Sequence, residues 1–404
     1  MLMGDSVPKM KPQSVHVDFL DSITVPIGCF TFSFVLQWLF VFLPIPFSTM
    51  EAVPAPFWFV QFFKVVGFVL HMIPMGIWFA GLPVVILCAL RNGTQSRFYA
   101  RRMSKQLPVI MALGINFGIV PLLFLQTTYY KAFYTATILT AWFWIAVIPI
   151  LIIGYYSLYI AAYSGERRDR MILCSLLASL SLICIGILNT NGLTLMVSGN
   201  QWSGMISETS YYGAVLGTAN NFQDMVIWMR LATMFGLGLI TAGVWTTFDA
   251  HFLIRADAAG VPAKYQRWAT TLALLMTFAG LAILTGTEYV VKEGTYPTLA
   301  VAYPYFGWIL LFAYAIFVVL LLAKTGRKRF IALAALLHFL TLAGFGVIRQ
   351  IGQNAGMAKF NGIEVSTLSE AVQWDTLVAF VVFFLLGVGV IVWMVAQCVK
   401  CAGK

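Results

Sequence analysis

Charge is what this sequence has least of. Of 404 residues only 10% are charged, while 60% are hydrophobic and the mean hydropathy is +0.87. No water-soluble domain of this size has that composition, so soluble enzymes and soluble binding modules are excluded. Carboxylates are scarcer than cations, 15 Asp and Glu against 25 Lys and Arg, and the long apolar runs hold almost none. Proton pumps and proton-coupled transporters carry such groups in mid-membrane, so their scarcity argues against that class. It argues equally against oxygen reduction fed by buried carboxylates. There is no phosphate-binding glycine loop, no H-E-x-x-H and no nucleophile elbow. Internal repeats, low-complexity tracts and a soluble domain are missing too. Residues 1–23 are polar and mixed in charge, with Asp5, Lys9, Lys11, Asp18 and Asp21, and do not read as a signal peptide. Of the six cysteines, Cys29, Cys88, Cys174 and Cys184 sit in apolar runs as small packing residues. Cys398 and Cys401 form a C-x-x-C with no His after it, which excludes c-type haem attachment. They read as a reduced, idle pair.

What is present is a series of apolar runs. A helix needs roughly 20 apolar residues to cross a bilayer. Runs of that kind fall near 24–46, 62–90, 108–129, 136–161, 169–197, 225–254, 264–286, 303–323, 328–350 and 374–398. The sequence therefore predicts an all-α polytopic membrane bundle of about ten transmembrane helices, one membrane domain over 1–404. Basic residues cluster in alternate connections. Arg91, Arg97, Arg101, Arg102 and Lys105 fill one; Arg167, Arg168 and Arg170 the next. Arg255, Lys264 and Arg267, then Lys324, Arg327, Lys328 and Arg329, follow on the same side as the tails. That side is expected to be cytoplasmic, with both termini inside, in a bacterial inner membrane. The net charge of +10 is thus topogenic and implies anionic lipid contacts, not nucleic acid. The opposite connections, 198–224, 287–304 and 351–373, are the candidate docking surface.

The run Phe62–Leu90 has one ionisable residue well inside, His71. A polar side chain at that depth is costly without a partner and is a functional candidate. Neutral imidazole is a common haem-iron ligand, and it is also a packing residue bonded to a neighbouring helix. A rise of about 1.5 Å per residue puts His71 about 13 Å deep and His338 about 18 Å deep. Two imidazoles at similar depth on different helices suit a b-type haem. Arg230 and Arg349 lie just inside the outer ends of their runs. There they can pair with carboxylates such as propionates or snorkel to the interface. His251, beside Asp249 and Arg255, reads as interfacial and not as a ligand. Asn116, Asn189 and Asn191 are expected to bond across helices.

From residue 62 onward the chain resembles the large, haem-bearing subunit of cytochrome bd quinol oxidases. Gly114-Ile115-Asn116-Phe117 is similar to the G-I-N-F of that family's second helix. Ser181–Met196 resembles its S-x-x-W-I-L-x-A-N-x-W-M-Q stretch, and Arg349-Gln350 falls at its G-R-Q-P-W. His71 takes the place of the ligand to a high-spin b haem, and 24–46 is an extra helix before nine family-like ones. The departures are specific. The helix at 136–161 lacks the family's two glutamates. The family's second histidine falls near Arg230 or Leu231, its Arg-x-x-Met has no counterpart, and Gly346 replaces a glutamate. The quinol loop shrinks to 287–304, keeping Lys292 and Glu293 as candidate quinone contacts. The resemblance implies a haem b-binding subunit passing electrons between quinone or quinol and a c-type cytochrome, beside other membrane subunits. His71, then His338, are the expected iron ligands. The alternatives are a quinol oxidase with altered haems and a haem-free anchor subunit.

Overall fold

The computed structural model describes residues 52–165, 167–254, 262–293 and 303–403. Eleven α-helices make up nearly all of it. They are α1 (Phe57–Leu90), α2 (Thr94–Thr128), α3 (Tyr130–Leu139), α4 (Ala141–Ala162), α5 (Arg168–Val197) and α6 (Trp202–Thr209). After them come α7 (Met225–Phe252), α8 (Pro262–Glu293), α9 (Phe306–Ala323), α10 (Lys328–Asn361) and α11 (Trp374–Gly403). Nine of the described helices are long and apolar enough to span a membrane. The all-α polytopic bundle is therefore as expected; the segment 24–46 lies outside the described residues.

Several boundaries differ from the hydropathy reading. α1 starts at Phe57, not 62, and α2 at Thr94, because the basic stretch 94–107 is amphipathic and continues the helix. Ala100, Met103, Ser104 and Leu107 are buried while Arg101 and Lys105 face out. The run 136–161 is broken at Thr140, whose hydroxyl turns back to the Ala136 carbonyl. The connection 198–224 fills the break: Trp142 N donates to Gly217 O and Ala219 N to Leu139 O. α8 runs on to Glu293 and α10 to Asn361, where Gly362 ends it in the left-handed region at φ 64°. Within 198–224 a short hairpin joins β1 (Ser210–Tyr211) to β2 (Ala214–Val215). Its turn residues Tyr212 and Gly213 both have positive φ, as a two-residue hairpin turn of this kind needs.

α1 and α7 form the centre. Both are buried along most of their length, whereas α4 and α11 turn large apolar side chains outward. Between helices in lipid there is little hydrophobic driving force, so close packing of small residues takes over. α7 is built for that. A Cβ at Gly238 would lie 3.4 Å from the Gly76 backbone, and one at Gly280 on α8 would lie 2.5 Å from the Gly236 carbonyl oxygen. α11 is held by an aromatic cluster in which Phe380 and Phe384 pack on Phe63 at 5.0 and 5.3 Å. On the basic side Arg102 joins α2 to α7. Its Nε donates to Asp249 Oδ2 at 2.6 Å and its Nη2 to Asp249 Oδ1 at 2.7 Å, while Gln106 Nε2 donates to the same Oδ1.

Candidate functional site

On α1, Lys64, Phe68 and His71 follow at intervals of four and three residues, which places them on one face. His71 points at α2. Its Nδ1 lies 2.7 Å from the Gly114 carbonyl oxygen. A carbonyl only accepts, so Nδ1 carries the proton and Nε2 keeps its lone pair. A backbone carbonyl on one ring nitrogen is the arrangement that orients a metal-ligating histidine. Gly118, one turn further along α2, makes room for the ring: a Cβ there would come within 2.9 Å of His71 Cε1 and Nδ1. Gly114 likewise admits the Trp78 indole, whose Nε1 would lie 3.2 Å from a Cβ. Gly114 and Gly118, which bracket the Ile115-Asn116-Phe117 stretch, thus both meet the histidine.

Cations surround that face. The Arg349 guanidinium lies over the Phe68 ring, 5.1 Å from its centroid. Gly346, one turn before it, lets α10 approach: a Cβ would lie 3.1 Å from Phe68 Cδ1 and 3.3 Å from Val65 Cγ1. A side chain at that position would have to push Phe68 and Val65 aside by a few tenths of an ångström. Lys64 is only 4% exposed, and its Nζ sits 4.1 Å above the Tyr129 ring with no hydrogen-bond acceptor. Tyr129 anchors a polar network: its hydroxyl donates to Asn354 Oδ1 and accepts from Gln350 Nε2 at 3.2 Å. Burial raises the Tyr129 hydroxyl above the ordinary phenol range, so it stays protonated. Arg230 donates from Nη1 to Thr194 Oγ1 at 2.9 Å. Arg349 is within electrostatic range of Lys64, Arg230 and His71.

No carboxylate among the described residues pairs with these cations. Asp224 acts on Arg230 from a distance, but its oxygens accept from Val226 N and Asn221 Nδ2. Taking an ion out of water costs on the order of several kcal/mol even after relaxation. A buried cation over an aromatic ring recovers about 2 kcal/mol or somewhat more. Lys64, Arg230 and Arg349 therefore form a cluster short of negative charge.

The other expected residues lie elsewhere. α1 and α10 run antiparallel, with Gly346 against Val65 and Phe68, so His338 is level with Gly76 and about 7 Å deeper than His71. Its ring faces α7, not α2. Thr241 Oγ1 donates to Leu237 O and lies 2.7 Å from His338 Nε2, so Nε2–H is the donor there. His338 Nδ1 is then a buried lone pair with no partner. The two imidazoles thus occupy different helix interfaces. Lys292 and Glu293 end α8, and 294–302 lie outside the described residues. His251 Nε2 is 3.3 Å from Thr270 Oγ1. Asn116 bonds its own helix at Ala112 O, not a neighbour. Asn191, fully buried, accepts from Asn221 N and pins the 198–224 connection. Lys64 escaped the sequence reading because a helix begun at Phe62 puts it at the water boundary. With the start at Phe57 it is two turns inside.

No protein-family model and no curated protein matches this chain. Its fold is similar to that of a solved structure, the bd oxidase from Geobacillus thermodenitrificans. The two align with a TM-score of 0.63 over 85% of this chain and 99% of that one, at 11% sequence identity. The likeness is one of fold: a bd oxidase-like, all-α, multi-pass membrane bundle.

Proposed function

We propose that this chain is a haem b-binding membrane subunit of a respiratory electron-transfer complex, passing electrons between quinone or quinol and a c-type cytochrome partner. The observation that carries the reading is His71. Its Nδ1–H is spent on the Gly114 carbonyl, so Nε2 offers a lone pair inside a membrane bundle. Neutral imidazole held this way is the usual haem-iron ligand, and bound haem supplies one-electron chemistry. Arg349 and Arg230, cations without carboxylate partners, would hold the propionates by their planar donor forks. His338 offers the unpartnered Nδ1 and is the second candidate ligand. Lys292 and Glu293, at the end of α8, are the candidate quinone contacts. An electron held in a buried bundle needs an exit, so other membrane subunits and a cytochrome docked on the 198–224 side are expected. That side faces outward from a bacterial cytoplasmic membrane, with both termini cytoplasmic.

The test is quinol-driven reduction of a soluble c-type cytochrome by the purified complex. Wild type should reduce it, and His71→Ala should not while still inserting and assembling. Equal rates from both proteins would remove His71 from the electron path.

A further inference from the structure

The cations on the His71 face are not all used by that reading. Lys64 is buried, belongs to α1 and has no acceptor for its three N–H bonds. The Arg349 guanidinium makes no hydrogen bond among the described residues, and Arg230 spends one donor on Thr194. The spans packed on α1 and α10 cannot neutralise them: α2, α9 and α10 contain no carboxylate, and Asp169 of α5 and Asp249 of α7 lie at the opposite, basic end. The donors come from three helices: Lys64 from α1, Arg230 from α7 and Arg349 from α10. Arg349 lies over Phe68, while Lys64 lies four residues earlier on α1, about 6 Å nearer the helix start. A single carboxylate brings one negative charge and would leave the three cations short of two.

We infer that Lys64, Arg349 and Arg230 form a receptor for one ligand bearing two separate anionic oxygen groups, with Lys64 holding the group nearer the membrane surface. The Tyr129 ring fixes the Lys64 ammonium from below and leaves its N–H bonds for the ligand. Gln350 and Asn354 fix Tyr129 in turn. Two sources have this chemistry: the paired propionates of a haem, and the phosphates of an anionic phospholipid. The first rests on the function proposed above; the second does not.

The experiment measures both on the purified full chain after extensive detergent washing. Haem is quantified as pyridine haemochrome and tightly bound lipid as extracted phosphorus. The variants are Lys64→Met, which keeps length and removes charge, Lys64→Arg, which keeps charge, and Arg349→Met on the other helix. Wild type should retain a dianionic ligand. Lys64→Met and Arg349→Met should each weaken retention by about tenfold or more, the size of one charge-assisted hydrogen bond. Lys64→Arg should retain most of it. If the ligand is haem, Lys64→Met should also lower the midpoint potential, because a nearby cation favours the reduced form. Haem held equally by wild type and Lys64→Met, with unchanged potential, would overturn the receptor and leave the haem reading intact. Phosphorus without haem, lost in Lys64→Met, would uphold the receptor and remove the haem reading. Neither ligand in wild type would overturn the receptor.

Discussion

Gly118→Ala isolates the packing that holds His71 in place. The added methyl would lie 2.9 Å from both Cε1 and Nδ1 of the ring, and its three nearest atoms all belong to His71. The imidazole must move and give up the Gly114 carbonyl. Overpacking costs about 1–3 kcal/mol, and an interhelical hydrogen bond adds about 0.6 to 1.7 kcal/mol. Alanine in place of a helical glycine returns about 1 kcal/mol. The net expectation is a loss of about 1–3 kcal/mol in the wild-type background. In a His71→Ala background the clash and the bond are both gone. There Gly118→Ala should be neutral or stabilising by up to about 1 kcal/mol. The four proteins make a double-mutant cycle with a coupling of about 1–4 kcal/mol. Reversible unfolding in mixed micelles by denaturing detergent measures it. Equal costs of Gly118→Ala in both backgrounds would refute the placement of the ring.

Further outcomes follow from other contacts. At the Arg102–Asp249 pair the side chains are 26% and 2% exposed, so Asp249 is the partner stranded more severely. Arg102→Met should therefore destabilise by about 3–5 kcal/mol, and Asp249→Asn by less, in the same unfolding assay. Asn92, exposed between α1 and α2, sits on the basic side. Asn92→Cys should react with a membrane-impermeant thiol label only after cells are opened, and labelling of intact cells would reverse the topology. α4 carries no carboxylate to deliver protons, so an oxygen electrode should register no quinol-driven oxygen consumption above autoxidation.

The spans were legible because each is a long apolar run, and nine of those expected have described helices. Helix ends were less so, since hydropathy marks where polar residues begin and not where the helix stops. The stretch 94–107 shows this: its polar residues lie on an exposed face of a continuing helix. The break at Thr140 had no proline or glycine to announce it; it is stabilised by backbone bonds from the distant 198–224 connection. For the site, His71, Arg230 and Arg349 stood out as polar residues in apolar runs. Their placement on one cluster, and that of His338 at another interface, depends on how helices rotate, which the sequence does not encode locally. Lys64 needed the true start of α1, and Tyr129 needed its contacts with α10, before either had a role.

The most direct measurement is a dithionite-minus-air difference spectrum with pyridine haemochrome on the purified complex, wild type beside His71→Ala and His338→Ala. A b-type spectrum in wild type that is lost or altered in His71→Ala is the expected result. A change in His71→Ala alone would mark His71 as the sole protein ligand, and a change in both variants would add His338. A wild-type complex without a b-type spectrum, or three identical spectra, would contradict the assignment of iron to His71.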